Sequence, residues 1–151
     1  MRIEPRQLPI AAYPFSTELD VRLTDLDFAR HVNNGAIAAF FEEVRVRFHL
    51  HYFGADSVFN RPVGGGVVAQ VSIQYLRETV YGVPIMGCAG IARLGNSSYT
   101  VAQALFQVEH CVSEATCVIA QRANGRADPL SDALRERLES LIVPGLRADH
   151  R

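Results

Sequence analysis

Four β-rich runs crowd into the stretch between residues 67 and 123: VVAQVSIQYL (67–76), VPIMGCAGIARL (83–94), SYTVAQALFQVEHCV (98–112) and EATCVIAQRA (114–123). The links between them are too short for the dozen or more residues that a parallel crossover needs, so successive strands must pair antiparallel. Leu94-Gly95-Asn96-Ser97 supplies glycine and asparagine for a tight hairpin turn, Val112-Ser113-Glu114 marks another reversal, and Asn124-Gly125-Arg126 is a further turn. A looser alternation in YPFSTELDVRL, residues 13–23, adds a first strand and brings the sheet to five.

Between the first strand and the other four lies a segment of different periodicity. From Gly35 the apolar residues Ala36, Ile37, Phe40, Phe41, Val44 and Phe48 recur at intervals of three and four, which predicts a helix over 35–52 with a wide apolar stripe. Gly54 is placed to end it, and the segment through Arg61-Pro62 and Gly64-Gly65-Gly66 reads as a loop with one short turn. Ser131 is a candidate N-cap for a final helix with Leu134, Leu138 and Leu141 on one side. The fold class expected is α+β, a five-stranded antiparallel sheet with the long helix across its concave face and a C-terminal helix. With 151 residues and 48% apolar composition, the chain has the size and core of a single domain.

Composition removes several functions. A formal charge of −1 and a pI near 6.5 give no basic excess for nucleic acid or an anionic membrane surface. All 15 Lys-plus-Arg positions are arginine, which excludes Schiff-base lysines and the phosphate-loop lysine. MRIEPRQLPIAAYPF carries Glu4 and three prolines and has no continuous apolar run, and no later run is long enough to span a bilayer, so the expected location is the cytoplasm. Cys88, Cys111 and Cys117 lack CxxC spacing and suit small apolar fillers, although Cys111 and Cys117 could meet across a hairpin. His49 and His51 fall on different sides of a helix and His110 has no recognisable ligand set, so neither a metal nor a cofactor is expected.

The chemistry concentrates in TDLDFARHVNNGAIAAFFEEVR, residues 24–45. Asp25 and Asp27 precede His31 and the pair Asn33-Asn34 at the predicted helix start, where unpaired N–H groups and the positive dipole end face outward. Such groups hold a developing oxyanion, and a neighbouring carboxylate can activate water or attack a carbonyl, the two parts that acyl transfer requires. Spacing alone also fits a bland arrangement in which the acids and asparagines are loop and capping residues and His31 is a satisfied polar group.

The segment Asp25-Leu26-Asp27, His31-Val32-Asn33-Asn34 and Phe41-Glu42-Glu43-x-Arg45 resembles the DxD…HVNN…FEEAR pattern of hotdog-fold acyl-CoA thioesterases, the group related to 4-hydroxybenzoyl-CoA thioesterase. Its DLDxxxHVNN core is also similar to plant acyl-ACP thioesterases. The likeness continues through VVAQVSIQYLRETVYG, RLGNSSYTVAQALF and LSDALRERLESL, covering about residues 13–141 in order. It implies a homodimer, with a tetramer of two dimers as the larger option, and an acyl-CoA substrate bound where subunits meet. It implies Asp27 as the catalytic acid, acting as general base or nucleophile, and the backbone N–H of Asn34 as the donor to the thioester carbonyl. His31 would orient the loop and acid or touch the thioester, Asp25 would be structural or electrostatic, and Glu42 with Arg45 would form a buried or interface ion pair. The plant pattern has an asparagine where this chain has Ala29, a tyrosine is common at Ile37, and an acid is common where Val83-Pro84 stands.

Substrate contacts are expected from Asn33, from Gly65 and Gly66, whose lack of a side chain admits a pantetheine arm or serves only as a lead-in to the next strand, and from Arg77, a candidate for a coenzyme A phosphate or a solvated surface residue. Ser97 and Ser98 lack the GxSxG surround of a serine nucleophile. Competing functions are an acyl-ACP thioesterase, which calls for a basic docking patch, a non-catalytic acyl-CoA-binding module, and the hotdog hydratases, whose acid and histidine are spaced differently.

Overall fold

The computed structural model describes residues 8–59 and 65–146, so the expected loop through Arg61-Pro62 and Gly64 lies outside the described residues. Chain order is β1 (Phe15–Leu19), α1 (Asn34–Phe53), α2 (Ala55–Phe59), β2 (Gly65–Tyr75), β3 (Ile85–Leu94), β4 (Ser98–Gln107), β5 (His110–Ala123), β6 (Arg126–Ala127) and α3 (Asp132–Glu139). The strands form one antiparallel sheet in the order β1-β3-β4-β5-β2, with the two-residue β6 pairing β5. The five long strands wrap α1, and α3 follows at the C-terminal end. This is the hotdog fold.

The stripe read from sequence is the buried one: Ala36, Ile37, Phe40, Phe41, Val44 and Phe48 all face the sheet. They meet Ile85, Ala89, Ile91, Val101, Leu105, Ala115 and Cys117 in one core. Close approach of α1 to β3 depends on Gly87, where an added Cβ would stand 2.2 Å from Val44 Cγ2. At its far end α1 stops at Gly54, whose φ of 79° breaks the helix while its N–H still bonds the Leu50 carbonyl. Ser131 does cap α3, its Oγ accepting the Leu134 N–H, and Leu138 and Leu141 are buried. No helix among the described residues is long and apolar enough to cross a membrane.

Three expectations are corrected. The reversal between β4 and β5 falls at Val108-Glu109, not at Val112-Ser113-Glu114, and both turn residues have positive φ (46° and 66°). Neither residue type favours that conformation, and cross-strand pairing imposes it. β1 covers only Phe15–Leu19, because Ile10–Ala12 and Leu23–Asp25 turn into short 3-10 segments on either side. Cys111 and Cys117 lie on the same strand, β5, and do not face each other across a hairpin. All three cysteines are free and buried, and burial pushes the Cys88 and Cys111 thiols up to about 12, so neither is a ready nucleophile.

Candidate active site

Backbone geometry of the loop before α1 sets the positions of the two acids. Asp25 is buried and committed: its carboxylate accepts from the Arg22 N–H (2.8 Å) and from Arg22 Nη2 (3.0 Å), and its carbonyl accepts both the N–H and the Nδ2 of Asn33 (2.8 Å each). Burial alone would push its carboxyl up, but the Arg22 hydrogen bonds and charge outweigh that and hold it below the usual carboxylate range.

Asp27 is held differently. Its N–H donates to the His31 carbonyl (2.9 Å), and its Oδ1 accepts the N–H groups of Ala29 (2.8 Å) and His31 (3.2 Å). Arg30, at φ 63°, makes the sharp return. The bland capping role is therefore real for one oxygen, while Oδ2 has no protein partner among the described residues and Asp27 lines a cavity of about 350 Å³ with His31, Asn34, Ile37, Tyr75 and Arg77.

Asn33 is the N-cap of α1, its Oδ1 accepting the Ala36 N–H at 2.7 Å, and Ile37 N–H bonds the Asn33 carbonyl. The first-turn N–H groups of Asn34 and Gly35 are left without acceptors inside the helix, and Asn34 lines the same cavity. So Asp27, His31, Asn34 and Arg77 converge. Asn33 does not line the cavity, because its side chain is occupied as a cap. Gly65 and Gly66 begin β2, at the opposite end of the strand from Tyr75, and Gly66 lines a second cavity instead.

Of the segment after β2, the sequence reading named Arg77 but missed Glu78 and Thr79, and it missed Gln107, which anchors that segment. His31 Nε2 lies 3.1 Å from Glu78 Oε2, and the Val32 N–H donates to the Thr79 carbonyl (2.9 Å). Gln107, buried at the end of β4, fastens this segment by donating from Nε2 to the Val80 and Val83 carbonyls and accepting the Val80 N–H. No local signal marks Glu78, since its partner stands far away in sequence. Within the one chain Glu42 and Arg45 are not paired: Arg45 Nη1 donates to Gln103 Oε1 at 3.4 Å, Gln103 Nε2 donates to the Phe41 carbonyl at 2.7 Å, and it is Glu43 that pairs, with Arg47. Among the described residues no group of three His, Cys, Asp or Glu side chains is arranged to hold a metal ion.

The family model described as the Thioesterase-like superfamily matches residues 21–138. A thioesterase from Thermus thermophilus, solved in complex with coenzyme A and zinc, is 27% identical, with a TM-score of 0.75 over 86% of this chain and 95% of that one. A predicted thioesterase from Bacillus stearothermophilus is 25% identical, with a TM-score of 0.76 over 85% and 96% of the two chains. A thioesterase-superfamily protein from a Jannaschia species, at 17% identity and a TM-score of 0.76 over 94% and 98%, shares the fold. No curated protein matches the sequence significantly.

Proposed function

The chain belongs to the thioesterase-like superfamily, and we propose that it is an acyl-CoA thioesterase that hydrolyses the thioester to a free acid and coenzyme A. The observation carrying this reading is one cavity lined both by Asp27, whose Oδ2 has no protein partner among the described residues, and by Asn34, the first residue of α1, whose N–H has no acceptor inside the helix. With the thioester carbonyl oxygen against the Asn34 N–H, charge that builds on it in the transition state meets a fixed donor and the positive helix end.

Asp27 then has two routes with the same geometry. As general base it takes a proton from water, whose oxygen bonds to the carbonyl carbon; collapse of the tetrahedral species breaks the C–S bond and releases the thiolate of coenzyme A, which is protonated. As nucleophile its Oδ2 attacks the carbon directly, the thiolate leaves, and water hydrolyses the mixed anhydride. His31, held by Glu78, fixes the loop through its backbone bonds to Asp27, and Arg77 is the candidate contact for a coenzyme A phosphate.

The working unit in this proposal is a homodimer. β2 is an eleven-residue edge strand that, among the described residues, pairs only with β5, and it exposes Val67, Val68, Val71 and Tyr75, an edge that a second copy would cover. Antiparallel pairing of β2 with its counterpart carries Gly65 and Gly66 of one copy toward Tyr75 of the other, and so toward the Asp27 cavity. Thiol release across a panel of acyl-CoAs tests the activity, and absence of turnover on all of them overturns it. Sedimentation at assay concentration tests the dimer, which a fully active monomer would rule out.

A further inference from the structure

Thr79 is only 3% exposed and lines the Asp27 cavity. Its carbonyl accepts the Val32 N–H, but its hydroxyl has no hydrogen-bond partner among the described residues. Among those residues no fully enclosed side-chain nitrogen or oxygen lacks a partner, so Thr79 Oγ1 meets the cavity and not packed protein. The other buried side-chain hydroxyl on the lining is occupied, since Ser113 Oγ donates to the Gln74 carbonyl at 2.6 Å. A buried hydroxyl without a partner destabilises a fold, and a valine of the same shape would not. The residue is enclosed by its own chain, so pairing of two β2 edges leaves almost no surface of it to cover. Its missing partner is one that enters the cavity.

Val32 separates Thr79 from the acid loop. On one side Val32 forms an antiparallel bridge with Leu26, next to Asp27, and on the other its N–H reaches the Thr79 carbonyl, so three backbones lie side by side at about 4.8 Å spacing. Asp27 and Thr79 thus stand on either side of Val32, and both border the cavity. Each is fixed independently: Asp27 by the Ala29 and His31 N–H groups, Thr79 by the Val32 bond and by Gln107, which holds the next residue, Val80. A water that attacks a thioester directs a lone pair at the carbon and one proton at the base. Its second proton needs an acceptor, and a fixed acceptor there sets the direction of the lone pair.

We propose that Thr79 is a further catalytic residue, whose Oγ1 accepts a hydrogen bond from the attacking water while Asp27 Oδ2 takes that water's other proton. This rests on the thioesterase reading and selects its general-base route. The water oxygen bonds to the acyl carbon as its O–H bond to the Asp27-facing proton breaks, and the C=O π pair moves onto the carbonyl oxygen against the Asn34 N–H. Return of that pair breaks the C–S bond, and the leaving thiolate takes the proton back from Asp27. No proton moves to or from Thr79.

The experiment compares wild type, Thr79→Val and Thr79→Ser in kcat, KM, the early time course of thiol release and melting temperature, on the acyl-CoA that wild type hydrolyses fastest. Thr79→Val should lower kcat by about tenfold or more with KM within about twofold, and should melt at or above the wild-type temperature. Thr79→Ser, which keeps an oxygen, should recover much of the lost kcat, and thiol release by Thr79→Val should show no burst. An unchanged kcat in Thr79→Val, a loss confined to KM, or a serine variant no faster than the valine one overturns the proposal. So does a valine variant that fails to fold or melts several degrees low, since the hydroxyl would then have a structural partner. A burst of one thiol per site in Thr79→Val also overturns it, because Asp27 itself would be the attacking group. Absence of wild-type turnover on every acyl-CoA overturns the thioesterase reading and this role with it, whereas normal wild-type turnover with any of the contrary results above removes the role of Thr79 alone.

Discussion

The two ends of α1 are built on opposite principles. Before and at its start, from Arg22 to Asn34, the polar groups are tied to backbone atoms within a dozen residues: Asp25 to Arg22, Asp27 to Ala29 and His31, Asn33 to Asp25 and Ala36. Its far half is held by packing, with Val44 and Phe48 fully buried and Phe48 in edge contact with Phe15 and Tyr52. The difference teaches a division of labour: in the proposed mechanism the first end carries reactivity on the exposed Asp27, and the second carries stability with no group poised to react. If that division holds, substitutions at the two ends should separate rate from stability.

The largest effect belongs to the packed half. Phe48→Ala should cost about 3–5 kcal/mol of stability, the range for truncating a fully buried aromatic side chain. Denaturant titration reads this loss, and turnover per folded molecule should stay near wild type. A rate loss larger than the folded fraction explains would break the division. Next comes Asp27→Asn, expected to lower kcat by a factor on the order of 10², or about 2.7 kcal/mol of barrier, while the melting temperature barely moves. Near wild-type turnover in the folded variant would remove Asp27 from the mechanism.

The same contrast explains what the sequence disclosed. Motifs made of local backbone bonds were legible: Asp25 to Asn34 as an acid-bearing loop, Ser131 as a cap, Gly54 as a stop, Leu94 to Ser97 as a turn. Features imposed by distant pairing were not. Val108 and Glu109 carry no turn chemistry, and the strand register alone puts the reversal there. Glu78 meets His31, and Gln103 meets Arg45, across separations that periodicity does not encode. For the same reason Glu42 looked like the partner of Arg45, being one helical turn away, when the guanidinium bonds across to β4.

Asn34 sharpens the comparison at a smaller scale, since the donor assigned to it is its backbone N–H. Asn34→Ala should keep much of the activity, and Asn34→Pro, which deletes the N–H at a position where a helix tolerates proline, should lower kcat by about tenfold or more. Equal rates in the two folded variants would move the oxyanion donor elsewhere.

The smallest expected effect concerns Asp25, the acid that burial and Arg22 have already committed. Because its folded pKa is depressed below the usual carboxylate value, the pairing stabilises the fold at pH values above the ordinary carboxylate range, and that contribution disappears as the pH falls through the depressed value. Asp25→Asn should therefore melt slightly below wild type at neutral pH, and the two curves should converge as the solution is acidified. Its kcat should fall far less than that of Asp27→Asn, because Asp25 does not line the cavity and serves it only by holding Asn33 in place. Melting temperatures measured from neutral to acid pH, paired with rates on one acyl-CoA, check both statements. A gap that widens on acidification would mean the Arg22 pairing is not what stabilises the acid. A rate loss matching that of Asp27→Asn would mean the reactive carboxylate had been assigned to the wrong member of the pair.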